Sequence, residues 1–234
     1  GVNTMFYNTT GYKNVALGDY GLWSNTEGME NVAISGNSSL YKNTTGSQNI
    51  AIGAASLYNN ETGNYNIAIG RSSLYSNTAS NNVGIGHESL KSNTTGTYNV
   101  SLGTTALREV TTGSRNISLG ASSMENNTEG SNNVAIGNGA GLKNTTGTGN
   151  IFLGNESGNN DNYQTASNKL VIANSNTTTP LIDGDFSAST LKVNGSLEVT
   201  GSITKSVGGV QSVNNNGGDD SEITVNAEII PVEP

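Results

Sequence analysis

Apolar residues return at fixed places in this chain, and their spacing sets everything else. Asn14, Asn31, Asn49, Asn66, Asn82, Asn99, Asn116, Asn133 and Asn150 each open a copy of one phrase, at spacings of 17, 18, 17, 16, 17, 17, 17 and 17 residues. The second and fourth residues of each copy are Val, Ile or Leu, as in Val15 and Leu17, Ile50 and Ile52, or Val134 and Ile136. Alternation at period two predicts a short strand with that pair on one face. Gly follows directly in eight of the nine copies, and in the other Ser35 reads as an insertion before Gly36. A Gly fixed at the end of a strand predicts a tight corner with positive φ. The ninth position is apolar again (Leu22, Leu40, Leu57, Leu74, Leu90, Leu107, Met124) and predicts a second short strand pointing back at the first. Each copy closes through Asn-Thr-Thr-Gly or a variant, a turn sequence.

A period this short signals a repeat architecture. With about three core side chains each, no copy is stable alone. Stacked at roughly 4.8 Å, nine copies share one core and make a rod segment on the order of 43 Å long. The predicted fold is all-β, a parallel β-solenoid or β-roll of about 17-residue coils. Three regions are expected: a solenoid over 1–160, a β-rich neck over 161–205, and a linker with a terminal strand over 206–234. In the neck, Lys169–Ala173, Leu181–Gly184 and Leu191–Val199 read as strands, with Asn194-Gly195 as a turn.

Between the apolar pair lies a strip of small residues: Ala16, Ala33, Ala51, Ala68, Gly84, Ser101, Ser118 and Ala135. With the Val/Ile pair assigned to the core, this strip faces outward, where Thr, Lys or Glu would be usual. It is therefore the expected interface of a homotrimer, intertwined or side by side, the alternative being that Ala merely avoids crowding. Phe152 interrupts the strip and suits a plug at the solenoid's end. Stacking also aligns Asn14, Asn31, Asn49, Asn66, Asn82, Asn99, Asn116, Asn133 and Asn150 into an expected amide ladder, with a second one at the twelfth position (Asn25, Asn43, Asn60, Asn77, Asn93, Asn127, Asn144). At the tenth position Trp23, Tyr41, Tyr58 and Tyr75 form one stripe. It is a candidate glycan-binding surface, or else an aromatic ladder buttressing the loop or lying between subunits.

Phrases such as Asn43-Thr44-Thr45-Gly46-Ser47-Gln48-Asn49-Ile50-Ala51-Ile52-Gly53 resemble repeats in phage-type tail fibres and in fibres of contractile injection systems. The Asn-x-Val-Ala-Ile-Gly core is also similar to the heads of trimeric autotransporter adhesins, which are left-handed parallel β-rolls assembled as trimers. Lys169–Gly201 resembles the segment that follows such repeats in fibres and leads toward a self-cleaving chaperone domain. The resemblance spans residues 6–201. It implies a trimeric fibre segment attaching to a cell-surface glycan or protein receptor, outside the cell on a virion tail, an injection particle or a bacterial surface. The units are longer than typical adhesin-head repeats, and no coiled-coil stalk, membrane anchor or chaperone domain is seen, which favours the tail-fibre form over the adhesin head.

Composition narrows the chemistry. Charged residues make up 12% of the chain and net charge is −8, with no Lys/Arg cluster. Nucleic-acid binding and anionic-membrane binding are thus not expected. No cysteine is present, which removes disulfides and thiolate metal sites. The chain starts at Gly1 with no signal peptide and has no apolar run long enough to span a membrane, so a processed product or a piece of something longer is expected. The single histidine, His87, aligns with Asp19, Ala54 and Arg71 in other copies and reads as a surface residue. Catalysis and cofactors are not expected. Asp183-Gly184-Asp185 and Asp219-Asp220 with Glu222 are read as turns in preference to a calcium site, since neither has the twelve-residue loop pattern. Ice binding fits poorly because the Thr pairs sit in turns.

Overall fold

A computed structural model describes residues 1–197. Nine three-residue strands recur at the repeat period: β1 (Val15–Leu17), β2 (Val32–Ile34), β3 (Ile50–Ile52), β4 (Ile67–Ile69), β5 (Val83–Ile85), β6 (Val100–Leu102), β7 (Ile117–Leu119), β8 (Val134–Ile136) and β9 (Ile151–Leu153). Each pairs in parallel with the next, residue for residue, so Ala33 lies over Ala51 and Ala51 over Ala68. The chain is a parallel β-solenoid with about 17 residues per coil. The expected second strand in each coil is a run of turns, whose backbone still bonds to the coil beyond, as in Leu57 N–H to Ser73 O at 3.0 Å and Asn59 N–H to Tyr75 O at 3.0 Å.

That return path is built from residues in the left-handed region. In the third coil Ala55 (φ 56°), Leu57 (φ 49°) and Tyr65 (φ 59°) all adopt it, and equivalent residues do so along the rod. Each such non-glycine residue costs on the order of 1 kcal/mol. A coil pays that strain only when bonds to its neighbours offset it, a second reason why no coil stands alone. Gly53 (φ 127°) sits at the predicted corner, and a Cβ there would lie 2.7 Å from the Gly70 carbonyl carbon. Gly63 is different: its φ is ordinary, and it is glycine because a Cβ would fall 2.2 Å from Ala79 O and 2.3 Å from Asn60 Oδ1. In the second coil Ser35 takes the corner, its N–H bonding Leu17 O at 2.9 Å as Gly53 bonds Ile34 O. The extra residue is Gly36, which bulges into open space.

The faces of the strand are the reverse of those expected. Ala33, Ala51, Ala68, Ser101, Ser118 and Ala135 are fully buried inside the coil, and so is Gly84, with Ala16 half-buried at the first coil. They line the interior and are not an interface strip. Leu22, Leu40, Leu57, Leu74, Leu90, Leu107 and Met124 face them, also fully buried. The physical reason is thickness. A Cβ on Gly84 would already lie 2.7 Å from Ser73 Oγ and 3.2 Å from Leu74 Cγ, so nothing larger than Ala or Ser fits opposite the Leu row. Phe152 supports this by inversion. It is fully buried at the small position, and the residues facing it are Gly141 and Gly158, where Cβ atoms would come within 2.6 Å and 2.2 Å of its ring. The Val, Ile and Leu pairs therefore point outward, with Ile52 and Ile69 each 36% exposed and Leu102 48% exposed.

The sheet does not break at residue 160. After a short 3-10 turn (Asp161–Tyr163), β10 (Lys169–Ile172) pairs in parallel with β9, placing Val171 over Phe152 as a tenth rung. Then β11 (Ile182–Asp185) and β12 (Thr190–Val193) add on antiparallel, close to the strands expected of the neck. Residues 198–205 of that neck and the expected linker and strand of 206–234 lie outside the described residues.

Because the interior is filled to contact, Ala68→Leu should destabilise the fold by about 1–3 kcal/mol through overpacking. Thermal unfolding followed by circular dichroism reads this directly. An unchanged melting temperature would mean that Ala68 does not face the Leu row.

Candidate functional site

Three kinds of side-chain column run along the rod, amide, hydroxyl and aromatic, each made of residues one coil apart. The first is amide. The Asn that opens each coil is buried from Asn31 onward, and those within the rod join three coils. Asn49 stands just before β3, its N–H donating to Asn31 Oδ1 at 3.0 Å while its Nδ2 donates to Gly63 O at 2.8 Å. The same bonds recur at Asn31, Asn66, Asn82, Asn99, Asn116, Asn133 and Asn150, with Asn14 accepting at the first coil. The expected first ladder is present, though its strongest link runs from side chain to backbone.

The twelfth-position ladder has a defect. Nδ2 of Asn25, Asn43, Asn60, Asn77 and Asn93 each donates to Oδ1 of the coil before, at 2.7, 2.8, 3.1, 3.4 and 2.6 Å. Val110 occupies the next rung. Beyond it the direction reverses: Asn127 donates forward to Asn144 Oδ1 at 3.2 Å, because Asn144 must donate to Tyr163 O at 2.7 Å. Buried Oδ1 atoms of Asn93 and Asn127 are left without partners, one on either side of Val110. A third column was not anticipated. Ser47, Ser80, Ser114, Ser131, Thr148 and Ser167 use a side-chain hydroxyl to accept the backbone N–H of the coil before.

The last kind of column is aromatic. Trp23, Tyr41, Tyr58 and Tyr75 do come together, with centroids 6.2, 5.1 and 5.1 Å apart and rings within 11° of parallel. Phe6, missed in the sequence, extends the stack at 4.8 Å from Trp23. It was legible: Phe6 stands two residues before the Asn of Asn8-Thr9-Thr10-Gly11, as Trp23 does before Asn25. Tyr7 and Tyr20 pack edge-on or tilted beside Trp23. Parallel stacking occupies the ring faces, so this ridge offers ring edges and phenol hydroxyls outward, and not the open faces on which a sugar would lie flat. Burial, then the neighbouring Tyr41 and Tyr75, push the Tyr58 phenol up from its ordinary pKa. The next rungs are Lys91, Arg108 and Glu125, tied by pairs from Lys91 to Glu88 (2.7 Å) and from Arg108 to Glu125 (2.9 Å).

Other candidates fall elsewhere. His87 is exposed, as expected of a surface residue. Asp185 is engaged by Lys169 and the Ser187 hydroxyl, which hold its carboxyl well below the usual range. Asp183 accepts from the Tyr163 hydroxyl at 3.3 Å. Among the described residues no group of three or more His, Cys, Asp or Glu could hold a metal ion, and no helix is long and apolar enough to cross a membrane. Asp219, Asp220 and Glu222 lie outside the described residues. Comparison with protein-family models, with curated proteins and with solved structures returns no match.

Replacing Val110 with Asn should supply the missing donor to Asn93 Oδ1 and raise stability by about 1 kcal/mol, read as an increased unfolding midpoint in denaturant. Burial, and then the charge of Asp183 and its hydrogen bond, push the Tyr163 phenol up to about 12 from 10.0. The folded chain then holds that proton more tightly than the unfolded one. Its stabilising contribution is complete below pH 10 and is lost as pH rises toward 12. Tyr163→Phe should flatten that alkaline decline in melting temperature.

Proposed function

We propose that this chain is a structural and receptor-binding segment of a trimeric attachment fibre, of the tail-fibre type that its repeats resemble. It works without catalysis, outside the cell, and attaches by presenting three copies of a weak site on one stiff rod. The observation that carries this reading is the outward apolar face. Every first and third residue of β1 to β9 is Val, Ile or Leu, in register along the rod, and Leu170 and Ile172 of β10 continue both rows. Exposed apolar patches of this length mark association surfaces. A straight stripe parallel to the rod suits identical copies packed around a shared axis, which closes and leaves no stripe wet.

Interface and small strip thus exchange roles relative to the sequence-based expectation, while the trimer itself is retained. Rigidity comes from the interior Ala–Leu packing and the amide ladders, which leaves the apolar face free for association. Multivalency then does the rest: once one copy engages a surface, the others act at a high effective concentration, and avidity rises by about 10²–10⁴ over a single site.

Sedimentation velocity on the purified chain should give a trimer. Ile52→Glu with Ile69→Glu should give a folded monomer with unchanged circular dichroism and much weaker retention on target cells. A wild-type chain that stays monomeric at high concentration would remove the fibre reading.

A further inference from the structure

We propose that the aromatic ridge is a linear binding track for a neutral, extended, β-1,4-linked polysaccharide, contacted through ring edges and phenol hydroxyls one rung per sugar. This deepens the attachment function and rests on it for its biological setting, but the track itself belongs to a single chain.

Four observations converge. Tyr41, Tyr58 and Tyr75 repeat at 5.1 Å, close to the axial rise of one pyranose in an extended β-1,4-linked chain. An extended peptide advances about 3.3 Å per residue and falls out of step after one rung. The hydroxyls are free: among the described residues Tyr163 is the one tyrosine whose hydroxyl bonds within the protein. The rungs of the ridge carry no charge. By position in the coil, the residues next after these rungs are Ser24, Lys42, Asn59 and Ser76, and those three before them are Tyr20, Ser38, Ala55 and Ser72, none of them a carboxylate, in a chain of net charge −8. Lys42, which lies 5.8 Å from the Tyr58 ring centroid, is the single cation of that group. A strip that excludes the prevailing charge matches a neutral partner and not a nucleic acid.

The fourth observation is that the fold does not require aromatics in this column. Lys91, Arg108 and Glu125 take the same rung, and the backbone bonds continue unchanged, with Asn59 N–H to Tyr75 O at 3.0 Å and Ser92 N–H to Arg108 O at 3.0 Å. Ion pairs suffice there. The aromatic run is a choice confined to the first coils, where it spans five rungs from Phe6 to Tyr75.

The test uses Trp23, the only tryptophan in the chain, as a reporter inside the track. Its emission and parallel calorimetry would be followed while titrating β-1,4-linked glucose and N-acetylglucosamine oligomers of increasing length, with α-1,4-linked glucose oligomers as the coiled control. Affinity should rise with length and level off once the oligomer covers the five rungs, with little binding of the α series. Replacing the hydroxyls alone, in Tyr41→Phe, Tyr58→Phe and Tyr75→Phe together, keeps the stack and should weaken binding about tenfold or more while melting is unchanged. No binding of the β series, equal binding of both series, absence of length dependence, or full affinity in the Phe variant would each overturn the proposal. Sedimentation of the same samples reports the trimer separately, so a failed track and a failed fibre assignment give different results.

Discussion

A side chain in this rod has, as its nearest neighbour, the same position one coil away. That single constraint decides which residues are allowed. A position must tolerate its own kind at the spacing of adjacent strands on both sides, which favours Asn that donates at one end and accepts at the other, Ala that leaves room, and flat rings that stack. It also explains the low charge: like charges in a column repel, and where charges do enter, Lys91 pairs with Glu88 and Arg108 pairs with Glu109 and with Glu125 of the next rung.

The energetics follow from the same geometry. Ordinary solenoid reasoning puts branched aliphatics inside, but here the coil is too thin for Ile opposite Leu, and the interior settles on Ala, Ser and Asn against Leu. Hydrophobic burial per coil is consequently small. Backbone bonds between coils and buried amides must carry much of the cohesion, against the strain of several left-handed residues per coil. The larger apolar side chains remain on the surface, where in a single chain they contribute little. The association proposed above would bury them.

Much of the fold was legible because it is periodic. The first strand of each coil, the parallel solenoid, the corner at Gly53 and both Asn ladders follow from where residues recur, whereas the expected second strand is a run of left-handed turns that apolar spacing does not distinguish from a strand. What was not legible was which side of a three-residue strand is inside. Period-two alternation gives two faces, and hydrophobicity ranks the Ile50 and Ile52 face as core, but it carries no information on coil thickness. Phe152 held the missing clue, since its presence at the small position is matched by Gly141 and Gly158 where Leu would otherwise stand opposite. The ridge was legible as a stripe at Trp23, Tyr41, Tyr58 and Tyr75, though not as a stack whose faces are already taken, because ring orientation depends on side-chain packing.

The Phe152, Gly141 and Gly158 trio has a bearing on how the chain finds its pairing. Rungs of near-identical sequence let a nascent strand settle one coil too far along and still satisfy most bonds. Such a slip would set Phe152 against a Leu instead of a glycine, and no room exists for both. The trio therefore fits a single alignment and disfavours a slipped one at the ninth coil, where β10 continues the sheet.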